Sequence, residues 1–126
     1  FKLNEKAFVF KNSNHIENLK NHKKMIFNNY MNNINRLNTK INNYRKNKKI
    51  CIFGTTIEAS YLFSVLKNKV AYFVDEDNCK IGKNFNKKLV INPNQLSSED
   101  IILVNRNQNH LFKKLKKRYK GKFILI

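Results

Sequence analysis

The stretch from Lys49 to Pro93 restricts the fold more than any other part of the chain. An apolar run, Ile50 to Phe53, meets Gly54. A helical pattern follows, and a second apolar run, Val70 to Val74, ends at the acid Asp75. Strand, glycine turn, helix, strand and acid, in that order, are the sequence form of a parallel βαβ unit. Val70 to Val74 is apolar without interruption, as suits a strand covered on both faces.

The alternation continues downstream. Asp75 to Lys88 reads as a polar loop containing Gly82, Leu89 to Ile91 as a short strand closed by Pro93, and Gln95–Leu96 as a single turn. Ile101 to Val104 is a further buried strand. Asn107 to Tyr119 has the helical period, with Leu111, Phe112 and Leu115 on one side and lysines on the other. Gly121 stops it, and Lys122 to Ile126 supplies a last strand. Strands alternating with helices imply a parallel sheet with right-handed crossovers. The expected fold of residues 48–126 is therefore α/β: a three-layer, Rossmann-like domain with a parallel sheet of four to five strands.

A long helix is expected before it, over residues 15–47, since no Gly or Pro interrupts that segment. Ser13 or Asn14 offers a cap, with Glu17 near the first turn. Phe27, Tyr30, Ile34, Leu37, Ile41 and Tyr44 follow one another at alternating spacings of three and four, which draws a narrow apolar seam along one face. The register reaches Lys20 and Lys23 on the N-terminal side, so the seam fades there. Such a seam calls for another helix, from a second copy or an upstream domain; the alternative is packing on the chain's own α/β domain. Residues 1–14, where Phe8 and Phe10 alternate weakly with their neighbours, read as a short strand or the tail of an upstream domain. Phe1 is not an initiator Met, so the chain is expected to be a processed product or a fragment.

The turn carries the chemistry. Gly54-Thr55-Thr56-Ile57-Glu58-Ala59 can be set against G-x-G-x-x-G/A. The first glycine is present, and Ala59 is small enough for close helix–strand packing. The second glycine, which admits a pyrophosphate to the backbone, is replaced by Thr56. Thr55-x-x-Glu58 has the form of a capping box, which would place a carboxylate where a phosphate otherwise binds. NAD and FAD are disfavoured on both counts, and a sugar hydroxyl, a ribose or a cationic group fits better. Asp75 lies about twenty residues beyond Gly54, where such folds place an acid on ribose hydroxyls. Glu76 and Asp77 add charge beside it, and Lys80 and Lys83 flank Gly82 and would balance that charge or hold a phosphate.

Elsewhere no catalytic constellation stands out. His15 and His22 lie two helical turns apart, about 10 Å, too far to share a metal without a third element. His110 reads as a helix-surface histidine, and the turn offers Thr55 and Thr56 with no local His as base. Cys51 sits in a strand and Cys79 in a loop, a spacing that makes neither a disulfide framework nor a zinc pattern. Reduced thiols and a cytoplasmic location are the expectation. No apolar run is long enough to span a membrane.

The formal charge is +18 in 126 residues. Nucleic acid is one partner that fits, and the block Lys113, Lys114, Lys116, Lys117, Arg118, Lys120 and Lys122 is where it would bind. The chain is also crowded with Asn and Ile, a surplus that the drift of an AT-rich genome produces without any charged partner.

The run Val74-Asp75-Glu76-Asp77-Asn78-Cys79-Lys80-Ile81-Gly82-Lys83, with the Gly54 turn before it and Val90-Ile91-Asn92-Pro93 after it, resembles a small Rossmann-like domain of bacterial sugar-modifying enzymes. It is similar to the C-terminal domain of SAM-dependent C-methyltransferases acting on nucleotide-linked sugars, which carries V-D-x-x-x-x-K-x-G-K before a V-x-x-P turn. It is similar also to the N-terminal domain of sugar acetyltransferases. The resemblance covers roughly residues 48–126. It implies an auxiliary, non-catalytic domain that binds or orients a nucleotide-sugar, with SAM held by a missing upstream domain. It also implies that Gly54 and Thr55 line the carboxyl edge of the sheet, that Asp75 faces the ligand, and that Lys80 and Lys83 sit in the next loop. Thr56 and Asn86 depart from the pattern, where small residues are usual. The residues expected at the ligand are Gly54, Thr55, Thr56, Glu58, Asp75, Glu76, Lys80 and Lys83. The alternatives are a basic nucleic-acid-binding module and a structural or oligomerisation domain.

Overall fold

A computed structural model describes the backbone of residues 2–42 and 48–126, and within them the side chains from residue 14 onward. The chain divides into two compact units, Phe1–Asn35 and Arg36–Ile126.

The first unit is helical. Helix α1 spans Lys2–Asn42, running on into the second unit. The backbone of residues 2–14 is thus helical rather than extended, and neither Ser13 nor Asn14 caps a helix start. The weak alternation of Phe8 and Phe10 loses to a segment free of Gly and Pro, in which a helix once nucleated gains one hydrogen bond per residue added. Ile16, Leu19, Met25, Ile26 and Phe27 are exposed. Tyr30 is half-buried and Ile34 is buried.

The second unit holds a six-stranded sheet in the order β3-β4-β2-β1-β5-β6. Its strands are β1 (Ile50–Phe53), β2 (Val70–Val74), β3 (Asn84–Phe85), β4 (Lys88–Ile91), β5 (Ile101–Val104) and β6 (Lys122–Leu125). All neighbouring pairs are parallel except β3 with β4. Five parallel strands stand where the sequence pattern placed them; the sixth, β3, lies inside the segment read as a polar loop. It forms because Asn86 and Lys87 take left-handed conformations, φ 49° and 64°, and close a two-residue hairpin. Asn tolerates that region better than most residues, so Asn86 opens the turn without a glycine.

Helix α2 (Ile57–Leu66) joins β1 to β2, and α3 (Asn109–Arg118) joins β5 to β6. Phe63 of α2 packs on Phe73 of β2, with centroids 5.6 Å apart, and Phe85 meets the same Phe73 ring edge-on at 4.9 Å. Neighbouring strand residues point to opposite faces. Val74 accordingly belongs to a different cluster, with Cys51, Phe53, Ile102, Val104, Phe123 and Leu115 of α3. All four residues of β1 and of β5 are buried, as their apolar runs require. Leu37 and Ile41, from the last turns of α1, are also buried, while Tyr44 lies outside the described residues. Gly121, at φ 111°, brings its backbone against Ile102, leaving no room for a side chain.

Candidate functional site at the carboxyl ends of β1, β2 and β5

Parallel strands bring their carboxyl ends to one edge. Phe53 is in register with Val74, and Val74 with Ile91. The ladder continues one step further: Gly54 N–H donates to Val74 O at 2.7 Å, and Asp75 N–H to Ile91 O at 3.2 Å. Gly54 then turns away at φ 91°, a conformation that favours glycine. The turn and the acid are thereby fixed side by side, as the sequence spacing implied.

The helix cap is one residue later than expected. Thr56, not Thr55, caps α2, its hydroxyl accepting from Ala59 N–H at 3.3 Å. The Thr55–Glu58 capping box does not form because Thr55 has another use: its Oγ1 donates to Asp75 Oδ2 at 3.2 Å. Glu58 is left exposed in the first turn of α2. Ala59 is fully buried, consistent with the small side chain needed where helix meets strand. Thr56, in place of the second glycine, is committed to the cap.

Asp75 is the most organised group of the edge. Its side chain is only 14% exposed, and Lys80 Nζ stands 3.8 Å from Oδ2. Its Oδ1 accepts from Asp77 N–H at 2.9 Å, and Asp77 Oδ1 in turn accepts from Cys79 N–H at 2.9 Å. These local turns carry the loop to Gly82, whose N–H donates to Val90 O at 2.9 Å. A carboxylate has about four acceptor sites, so two hydrogen bonds leave Asp75 free to receive a ligand hydroxyl. Lys80 is half in water and contributes little to holding Asp75.

Other expected site residues have different surroundings. Glu76 accepts from Tyr119 Oη at 2.6 Å and pairs with Arg118 at 3.5 Å, tying the β2 loop to the end of α3. That hydrogen bond holds the Tyr119 phenol proton and pushes its pKa up. Lys83 is exposed and makes no ion pair among the described residues. Cys51 is sealed in the core, and burial, aided by Asp100, pushes its thiol up to about 12, so it stays neutral and unreactive. His15, His22 and His110 are exposed, and no group of three metal-ligating side chains forms among the described residues.

One residue of the edge escaped the sequence reading. From β1 the chain steps outward to β2 and β4, then returns to the other side of β1 for β5 and β6. The order therefore reverses between β1 and β5, where open α/β sheets form a crevice for ligands. Gln108, at the end of the 3₁₀ turn Arg106–Gln108 that follows β5, reaches across it. A methyl group added at Gly54 would fall 2.9 Å from Gln108 Nε2 and 3.2 Å from its Oε1. The only signal in the sequence was that a polar segment follows a buried strand. No described helix is long and apolar enough to cross a membrane.

Comparison with protein-family models, curated proteins and solved structures finds no match.

Proposed function

We propose that residues 48–126 form an auxiliary domain of a bacterial SAM-dependent sugar methyltransferase, which binds or orients a nucleotide-linked sugar at the carboxyl ends of β1 and β2. In this reading the domain is a three-layer Rossmann-like one, with α2 and α3 on opposite faces of the sheet. It is non-catalytic and cytoplasmic, and the SAM site belongs to another domain. The observation that carries the proposal is the Thr55–Asp75 hydrogen bond, which gathers the glycine turn and a nearly buried carboxylate at one point. Such a carboxylate accepts from the paired hydroxyls of a ribose or sugar. Thr56 and Glu58 at the same edge speak against a pyrophosphate lying on the helix start.

Thermal denaturation with UDP-glucose, dTDP-glucose, GDP-mannose, NAD and SAM tests this reading. A ligand at a hundredfold excess over its Kd stabilises by about 2.7 kcal/mol, a shift of about 10 °C or more in a domain of this size. One or more nucleotide-sugars should raise the midpoint, and Asp75→Ala should abolish the shift. A panel that leaves the wild type unmoved refutes the proposal.

A second reading, a basic nucleic-acid-binding module, has its own observation. The outer face of α3 exposes Lys113, Lys114, Lys116, Lys117 and Arg118, with Lys120 just beyond, and Arg118–Glu76 is their one ion pair among the described residues. Lysines in a last turn also complement the helix dipole, so they have a structural use without a partner.

A further inference from the structure

The exposed part of α1 carries a charge pattern that bears on what covers it. Carried back from Ile34 through Phe27, the alternating spacing of three and four reaches Lys23, Lys20 and then Ile16. Leu19 and Ile26, seven residues apart, lie along one flank of that line. Ile16, Leu19, Ile26 and Phe27 are exposed. Lys20 and Lys23 are exposed too, and neither has an ion pair among the described residues. Residues 16–27 thus form an apolar strip about 17 Å long with two ammonium groups on its midline. It belongs to the first unit and is independent of the nucleotide-sugar reading.

Those two lysines discriminate among the surfaces that could cover the strip. A second copy in the same register would bring lysines into the middle of its own seam. Residues 14–42 offer it one acid, Glu17, against Lys20, Lys23, Lys24, Arg36 and Lys40, and like charges set together across an interface repel. A lipid surface takes a helix whose cations stand on the polar face, whereas Lys20 and Lys23 stand on the apolar one. A helix with carboxylates at the facing positions answers both features, covering the apolar residues and pairing the cations. We infer that the exposed strip of α1 docks an acidic amphipathic helix of a partner protein. That helix sets Asp or Glu opposite Lys20 and Lys23, and apolar side chains over Ile16 and Phe27.

The test uses the full chain and a labelled synthetic heptad peptide, with Ile and Leu in its seam, Glu on its flanks and Glu at two adjacent seam positions. A scrambled peptide of the same composition is the control. Fluorescence anisotropy reads binding, and circular dichroism establishes that each variant is folded. Wild type should bind the heptad peptide about tenfold or more tightly than the scrambled one. Lys20→Glu combined with Lys23→Glu should weaken it about tenfold or more. Lys113→Glu combined with Lys117→Glu, the same change of net charge on α3, should weaken it far less. A peptide with Lys at the two seam positions should restore binding to the Lys20→Glu, Lys23→Glu variant. Equal binding of the scrambled peptide, or equal loss in the α3 variant, would mean attraction by net charge alone and overturns the inference. A wild-type dimer that the peptide leaves intact overturns it in favour of a second copy. Binding to phosphatidylglycerol vesicles that the peptide does not displace overturns it in favour of a lipid surface.

Discussion

The two units use apolar residues in opposite ways. In Arg36–Ile126, β1 and β5 are buried along their whole length and Phe73 of β2 is fully covered. In Phe1–Asn35, Ile16, Leu19, Met25, Ile26 and Phe27 stand about half exposed. Both patterns are periodic, yet a period specifies which face is apolar and not what covers it. A parallel strand brings its partners with it, through crossovers that return the chain to the same sheet. A helix seam needs a second surface: Ile34, Leu37 and Ile41, towards the C-terminal end of α1, are buried, whereas Phe27 is not.

That contrast can be broken or sharpened by substitution. Phe73→Ala should have the largest effect, about 3–5 kcal/mol, because it empties a fully buried site shared by Phe63 and Phe85. Chemical denaturation with an unchanged m-value measures it. Gly121→Ala should cost about 1–3 kcal/mol, since its Cβ meets Ile102 and its φ of 111° is strained for any L-residue. Phe27→Lys should change stability by less than about 0.5 kcal/mol, as expected of an exposed position. Sedimentation sharpens this last case. A dimeric wild type that becomes monomeric with Phe27→Lys would show the seam covered by a second copy, and unchanged sedimentation would show that Phe27 is not in such an interface.

Much of the second unit was legible because its signals are local. Four- and five-residue apolar runs bounded by Gly, Asp and Pro name their own strands, and Gly54 and Asp75 fall at strand ends wherever the strands pair in parallel. The β3–β4 hairpin was hidden because its turn is Asn86-Lys87, where Asn-Gly is the readable form. The choice of Thr56 over Thr55 as cap could not be read from two adjacent threonines. It depends on Asp75, a strand away, claiming the first. Gln108 was invisible for a similar reason: it reaches Gly54 only because β5 pairs beside β1. Glu76 looked like one more acid of the loop until α3 brought Tyr119 to it.

The short antiparallel strand β3 has a consequence for the protein's life in a crowded solution. Open sheets end in rows of unpaired amides and carbonyls, on which a stray chain can add itself and begin a fibril. Here the outermost strand on the β4 side is two residues long, Asn84–Phe85, hemmed by Lys83 and the Asn86-Lys87 turn. Such a stub offers almost no template. At the opposite border, β6 begins with Lys122, next to Lys120, and a strand docking there in any copy of this chain would bring like charges together. The borders of the sheet thus discourage self-templating.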